Sequence, residues 1–194
     1  MSPLVRLAAA ASLALFASAC SLGGKVPAQL FTLTSEAPPA APVRSAPTGE
    51  TVTIEVPVTS EELRTRRVPV QISPSVVQYV KDLQWVDLPN RLFQDLVEET
   101  VRRRTGRVVL DPSHAGLDPG LMVAGDLRRF GYDAQTGMVV VQYDASLATR
   151  GGTHVQTRRF EASLPADGTA ATVAPALNQA ANLVALEVAN WIGG

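Results

Sequence analysis

Met138-Val139-Val140-Val141-Gln142-Tyr143-Asp144-Ala145-Ser146-Leu147-Ala148-Thr149 decides the fold. Val139, Val141, Tyr143, Ala145 and Leu147 occupy one parity, and Gln142, Asp144 and Ser146 occupy the other. Period two over such a length is the pattern of a long strand buried on one face. Before it, Asp118-Pro119-Gly120 reads as a turn and Leu121 to Phe130 as a second long strand. After it, Arg150-Gly151-Gly152 turns the chain into Thr153 to Leu164. Three successive strands joined by tight turns are an antiparallel meander. In the third, the apolar parity changes between Val155 and Phe160, so a bulge is expected near Arg158.

Helices flank this meander. From Asp87 to Gly106, Leu92, Phe93, Leu96, Val97, Thr100 and Val101 recur at helical spacing, with Pro89 suited to the first turn. Glu98 and Glu99 stand four residues ahead of Arg102 and Arg103, the favourable orientation for such pairs, and Gly106 is a natural stop. A closing helix is expected from Thr172 to Trp191, with Val173, Leu177, Ala180, Val184, Val188 and Trp191 on its apolar face. Asn178, Gln179, Asn182, Glu187 and Asn190 form the other side, which Leu186 interrupts. Leu186 is either an ordinary exposed leucine or an apolar anchor for a partner.

Toward the N-terminus, Leu30 to Thr34 is β-prone, and the proline-rich run from Ser35 to Glu50 reads as an extended loop. Val52, Ile54 and Val56 alternate with polar neighbours until Pro57. Val68, Val70 and Ile72 repeat the pattern, turn at Ser73-Pro74-Ser75, and return as Val76 to Val80; a brief strand is expected at Val108 to Leu110. The expected fold is therefore α/β: one domain, a mixed sheet with an antiparallel meander, and two main helices packed on it.

Residues 1–19 carry Arg6, then an apolar run from Leu7 to Ala19 that is too short to span a bilayer, ending in small residues before Cys20. This segment resembles a bacterial lipoprotein signal. It implies cleavage before Cys20, lipidation of that residue, and a short tether over residues 20–28, with the domain at 29–194. Cys20 is the one cysteine of the chain and has no disulfide partner to claim it. Three acyl chains anchor effectively permanently, since each buried methylene contributes about 0.8 kcal/mol.

The mature length, about 175 residues, suits one domain and its tether. Hydrophobic residues make up 46% and charged residues 18%, with a net charge of -1 and a pI near 6.1. That balance supplies no footprint for nucleic acid. Catalytic chemistry is poorly provided for. His114 and His154 lie in different segments, too few for a structural zinc site. Asp111-Pro112-Ser113-His114 has the residue types of a hydrolase triad, but triad members converge from separate elements, and no Gly-x-Ser-x-Gly elbow is present. Phosphate-loop, dinucleotide and calcium-loop motifs are missing, so no metal or cofactor is expected.

Ile54-Glu55-Val56-Pro57, the Leu63 to Arg67 segment, Tyr79, and Trp85-Val86-Asp87-Leu88-Pro89 running into Leu92 and Leu96 resemble the ABC-type transport auxiliary lipoprotein family, which includes paraquat-inducible protein C. Phe31-Thr32-Leu33 is similar to the aromatic-x-Leu element of that family, and Gly125-Asp126-Leu127 to its later strand. The resemblance implies an outer-membrane lipoprotein facing the periplasm. It also implies work alongside an MCE-domain protein, a permease and an ATPase that move lipid between two membranes. Ser21 agrees, since Asp at that position signals inner-membrane retention in many enterobacteria. Trp85 either caps the core before its helix or joins Leu186 in a partner surface.

Two other functions compete. A regulator of peptidoglycan synthesis needs a longer tether than Ser21 to Ala28 supplies at about 3.5 Å per residue. An independent lipid-binding chaperone needs an apolar cavity.

Overall fold

The computed structural model describes residues 29–39, 45–118, 120–149 and 154–193. The signal segment, Cys20, the tether, residues 40–44 of the proline-rich run and the Arg150-Gly151-Gly152 turn lie outside the described residues.

The strands are β1 (Val52–Ile54), β2 (Val58–Thr59), β3 (Arg67–Ser73), β4 (Val76–Gln84), β5 (Val109–Leu110), β6 (Leu121–Asp133), β7 (Met138–Thr149) and β8 (Val155–Pro165). The long helices are α1 (Pro89–Arg104) and α2 (Ala170–Gly193). Together the strands form one mixed sheet, and the single α/β domain has the expected meander and helices. β6 is its axis. One edge of β6 pairs antiparallel with β7, and β7 with β8. Along its other edge β1, β2 and β3 pair in turn, each parallel to it. β4 then pairs antiparallel with β3, closing the expected hairpin.

The helices cover one face of the sheet. Between the layers Trp85 meets Phe130, Phe93 meets Tyr143 and Phe160 meets Trp191, at ring-centroid distances of 5.7, 5.2 and 5.5 Å. Tilted and edge-on pairs at this spacing add to the stabilisation from burial itself. Gly125 matters at this layer. A methyl group there would sit 2.2 Å from the Asp144 carbonyl oxygen and 2.9 Å from the Tyr143 ring. The opposite face bears charge: Asp144 of β7 takes Arg159 of β8 through bonds of 2.6 and 2.8 Å.

Four local expectations are corrected. Leu30 to Thr34 makes only one parallel bridge, Phe31 to Trp85, because asparagine side chains of α2 take its later backbone groups. The strand at Val52 ends at Ile54; Pro57 lacks an N–H for a ladder, and pairing resumes at Val58. No bulge interrupts β8, whose register with β7 runs unbroken from Pro165 opposite Met138 to Val155 opposite Ala148. Val155 breaks the apolar parity because it lies on the face that no helix covers. The irregularity falls instead in β6, between Leu127 and Arg129. Finally, α1 starts at Pro89 and not at Asp87, whose carboxylate accepts the Leu88 N–H at 2.7 Å.

Candidate partner-binding groove

The candidate surface lies where α1, α2 and residues 31–38 meet. The N-terminal segment crosses both helices as a strap. Phe31 enters beside β4: its N–H donates to the Gln84 carbonyl, and its own carbonyl accepts from Val86, each at 2.8 Å. The Thr34 N–H donates to Asn178 Oδ1 and the Glu36 N–H to Asn182 Oδ1, both at 2.8 Å. Asn182 Nδ2 returns a bond to the Thr34 carbonyl at 2.8 Å. At the far end Arg103 donates to the Ala37 carbonyl at 2.7 Å and is itself held by Glu99. Partial burial would raise the Glu99 carboxyl, but hydrogen bonds from Arg103 and Arg102 outweigh it and hold it below its usual value.

Beside the strap a groove of about 230 Å³ opens, lined by Pro38, Thr100, Arg104, Asn182, Leu183 and Leu186. Leu186 is half-buried here, while Leu183 is 43% exposed. The exposed leucine on this side of α2 is thus Leu183, one helical turn before Leu186. Asn182 belongs to the strap contact and is buried, although its place in the polar stripe suggested solvent. Spacing shows which helix face a residue occupies; it does not show that a distant segment lies across that face.

Trp85 is only 1% exposed. Its ring lies against Phe130, so of its two readings the structure places it as a core residue and leaves it no surface to offer a partner. Cys20 lies outside the described residues.

The triad-like run is a capped turn. Asp111 Oδ1 accepts the N–H of Ser113 at 2.8 Å and its hydroxyl as well, and the His114 N–H donates to the Asp111 carbonyl. The serine hydroxyl is therefore committed to the carboxylate. His154 pairs with Gln156 on exposed β8. Among the described residues no three His, Cys, Asp or Glu side chains gather as a metal site, and no helix is long and apolar enough to cross a membrane. A wider depression between the carboxyl ends of α1 and α2 contains Arg104 and Arg107. There Arg107 donates to the Ile192 carbonyl, satisfying a helix end with a cation of the complementary sign.

Among the described residues Glu98, on the face of α1 toward Gln94, is the one carboxylate pushed far up. Desolvation, opposed by Arg102 and aided by Asp95 and Asp111, takes it to about 7. Asp95 is raised too, by desolvation and by Asp87.

The family model for the ABC-type transport auxiliary lipoprotein component matches residues 31–189. Among solved structures, protein XCC0632 from Xanthomonas campestris, of family DUF330, superposes with a TM-score of 0.72 at 20% identity, covering 86% of this chain and 95% of that one. An uncharacterized protein superposes at 0.60 with 14% identity, covering 84% and 99%. At these identities the likeness is one of fold. No curated protein matches.

Proposed function

Because the chain belongs to the ABC-type transport auxiliary lipoprotein component family, we propose that it is the membrane-anchored, periplasm-facing accessory lipoprotein of an MCE/ABC-type lipid-transport system. In this reading it acts without catalysis, moving lipid between inner and outer membranes as a partner of the transporter. The observation that carries the reading is the extent of the family match, from Phe31 at the start of the strap to Ala189 near the end of α2. That span takes in the strap, the whole sheet, α1 and α2 up to Ala189.

Cys20 follows a positive, apolar and then small-residue segment and is the lipidation site in this proposal, with residues 1–19 removed and 20–28 as tether. Ser21 agrees with outer-membrane residence, since Asp at that position signals inner-membrane retention in many enterobacteria. The MCE-domain protein is the proposed partner, and the groove beside Leu183 and Leu186 its contact.

Leu183 has the exposure to make that contact without a folding role. Interface energy concentrates in few residues, so Leu183→Glu is expected to weaken capture of the MCE protein at least about tenfold, or about 1.4 kcal/mol. Crosslinking in intact cells followed by co-purification measures it, with acyl labelling of wild type and Cys20→Ser alongside. Unchanged capture with intact folding moves the interface off the groove. Normal labelling of Cys20→Ser removes the anchor.

A further inference from the structure

The parallel bridge between Phe31 and Trp85 sets the local direction of Leu30 and Phe31, which run as Gln84 and Trp85 do. Going backward from Phe31, Leu30 therefore lies on the side of Gln84, the end of β4 that leads back to the β3–β4 turn. β4 carries a bulge, with Asp82 at a φ of 57° and a register break opposite the segment between Arg67 and Pro69. Beyond the bulge Tyr79, Gln78 and Val77 still pair with Pro69, Val70 and Gln71, so the strand's course is kept.

The hairpin tip at the end of that course is apolar, where turns are ordinarily polar. Ile72, Val76 and Val77 flank Pro74-Ser75 and are 37%, 43% and 41% exposed. They do not share a face. Val77 stands opposite Gln71 and Ile72 has the other parity along β3, so the tip is apolar on both sides of the sheet. A partner protein docked on one face would leave the other side wet. A fluid apolar layer that surrounds the tip would cover both. Behind the tip Arg67 stacks over the Tyr79 ring at 4.2 Å, a cation and an aromatic placed as such residues stand at a membrane–water boundary.

We propose that the β3–β4 hairpin tip, through Ile72, Val76 and Val77, inserts to the boundary between head groups and acyl chains of the membrane that holds the anchor. It would thereby orient the domain with the β3–β4 turn down. The inference rests on the lipidation of Cys20 proposed above. Ten positions separate Cys20 from Leu30, a reach of at most about 35 Å. β4 itself spans no more than about 30 Å over its nine residues. Anchor and tip can therefore meet one plane. The direction of Leu30 and Phe31 favours this end of the sheet over the other, where Leu117 is exposed ahead of β6.

The test uses the full-length lipidated chain in vesicles of phosphatidylethanolamine and phosphatidylglycerol, with no partner present. Since acylation occupies the one native thiol, Ser75→Cys and Leu117→Cys each give a single site for an environment-sensitive dye. The expected result is a blue shift and several-fold stronger quenching by shallow brominated lipid at position 75 than at 117, insensitive to added salt. Val76→Asp with Val77→Asp should abolish the shift while the protein still floats with vesicles and melts as before. Flotation with no shift at 75, or equal quenching at both sites, overturns the orientation and leaves the anchor standing. Loss of flotation in wild type overturns both. A shift at 75 that requires added MCE protein shows a protein contact and overturns the lipid assignment.

Discussion

Glu98 gives the domain its clearest pH dependence. Desolvation holds its carboxyl near 7 in the fold, whereas it titrates near 4.5 when the chain unfolds. Between those values the folded state keeps a proton that the unfolded state has lost, so stability falls as pH rises from about 4.5 to about 7 and stays lowered above. Glu98→Gln removes the titration but keeps an oxygen for Gln94, which donates to the carboxylate at 3.3 Å. The variant should be more stable than wild type at pH 8 by about 1 kcal/mol, after allowance for solvent screening, with the gain vanishing below about pH 4.5. Urea midpoints across pH measure it; a constant difference at all pH values would refute the assignment. Little of this could be read from sequence. Glu98 and Glu99 look alike beside their arginines, yet Glu99 is held below its usual value and Glu98 well above. The distinction comes from tertiary burial.

At the scale of elements, the strap is the informative unit. Helical periodicity located α1 and α2 to within about two residues because each buries a continuous apolar stripe whose spacing is written locally. The β7 alternation located the meander for the same reason. The strap is different, since its backbone is satisfied by α2 side chains nearly 150 positions away, and nothing in Leu30 to Thr34 distinguishes that from a sheet edge. The groove inherited that uncertainty: Leu186 and Asn182 were visible as members of a helix face, but the strap decides which of them water reaches. Asn182→Ala should release the segment, since the Thr34 carbonyl and the Glu36 N–H both lose their partner. Two backbone groups left unpaired cost about 1–3 kcal/mol each where water stays excluded, and less where the strap simply lifts. The expected signature is a lower urea midpoint together with faster proteolysis between residues 34 and 39. A lowered midpoint with unchanged cleavage would place the defect within α2.

For the whole molecule, β6 organises two kinds of stability. Its antiparallel ladder with β7 runs nearly its full length and lies chiefly beneath α2, whereas β1, β2 and β3 each hold a short parallel stretch of its other edge. Parallel pairings between distant segments leave no local pattern, which is why the mixed sheet was legible as a class but its strand order was not. Opening therefore should proceed outward from β6. Amides of Val123 to Leu127 and Val139 to Tyr143 are expected to exchange only through global unfolding, while Thr34 and Glu36, bonded to single asparagine side chains, exchange by local release. Global stability for such a domain is about 5–15 kcal/mol, so a gap of about 3 kcal/mol over local release makes the β6–β7 amides at least about a hundredfold slower. Hydrogen exchange resolved by residue measures the ratio. Strap amides as slow as those of β6 would mean that the strap folds with the sheet as one unit. The groove it borders would then be a fixed feature of the domain, not an edge that a partner could widen.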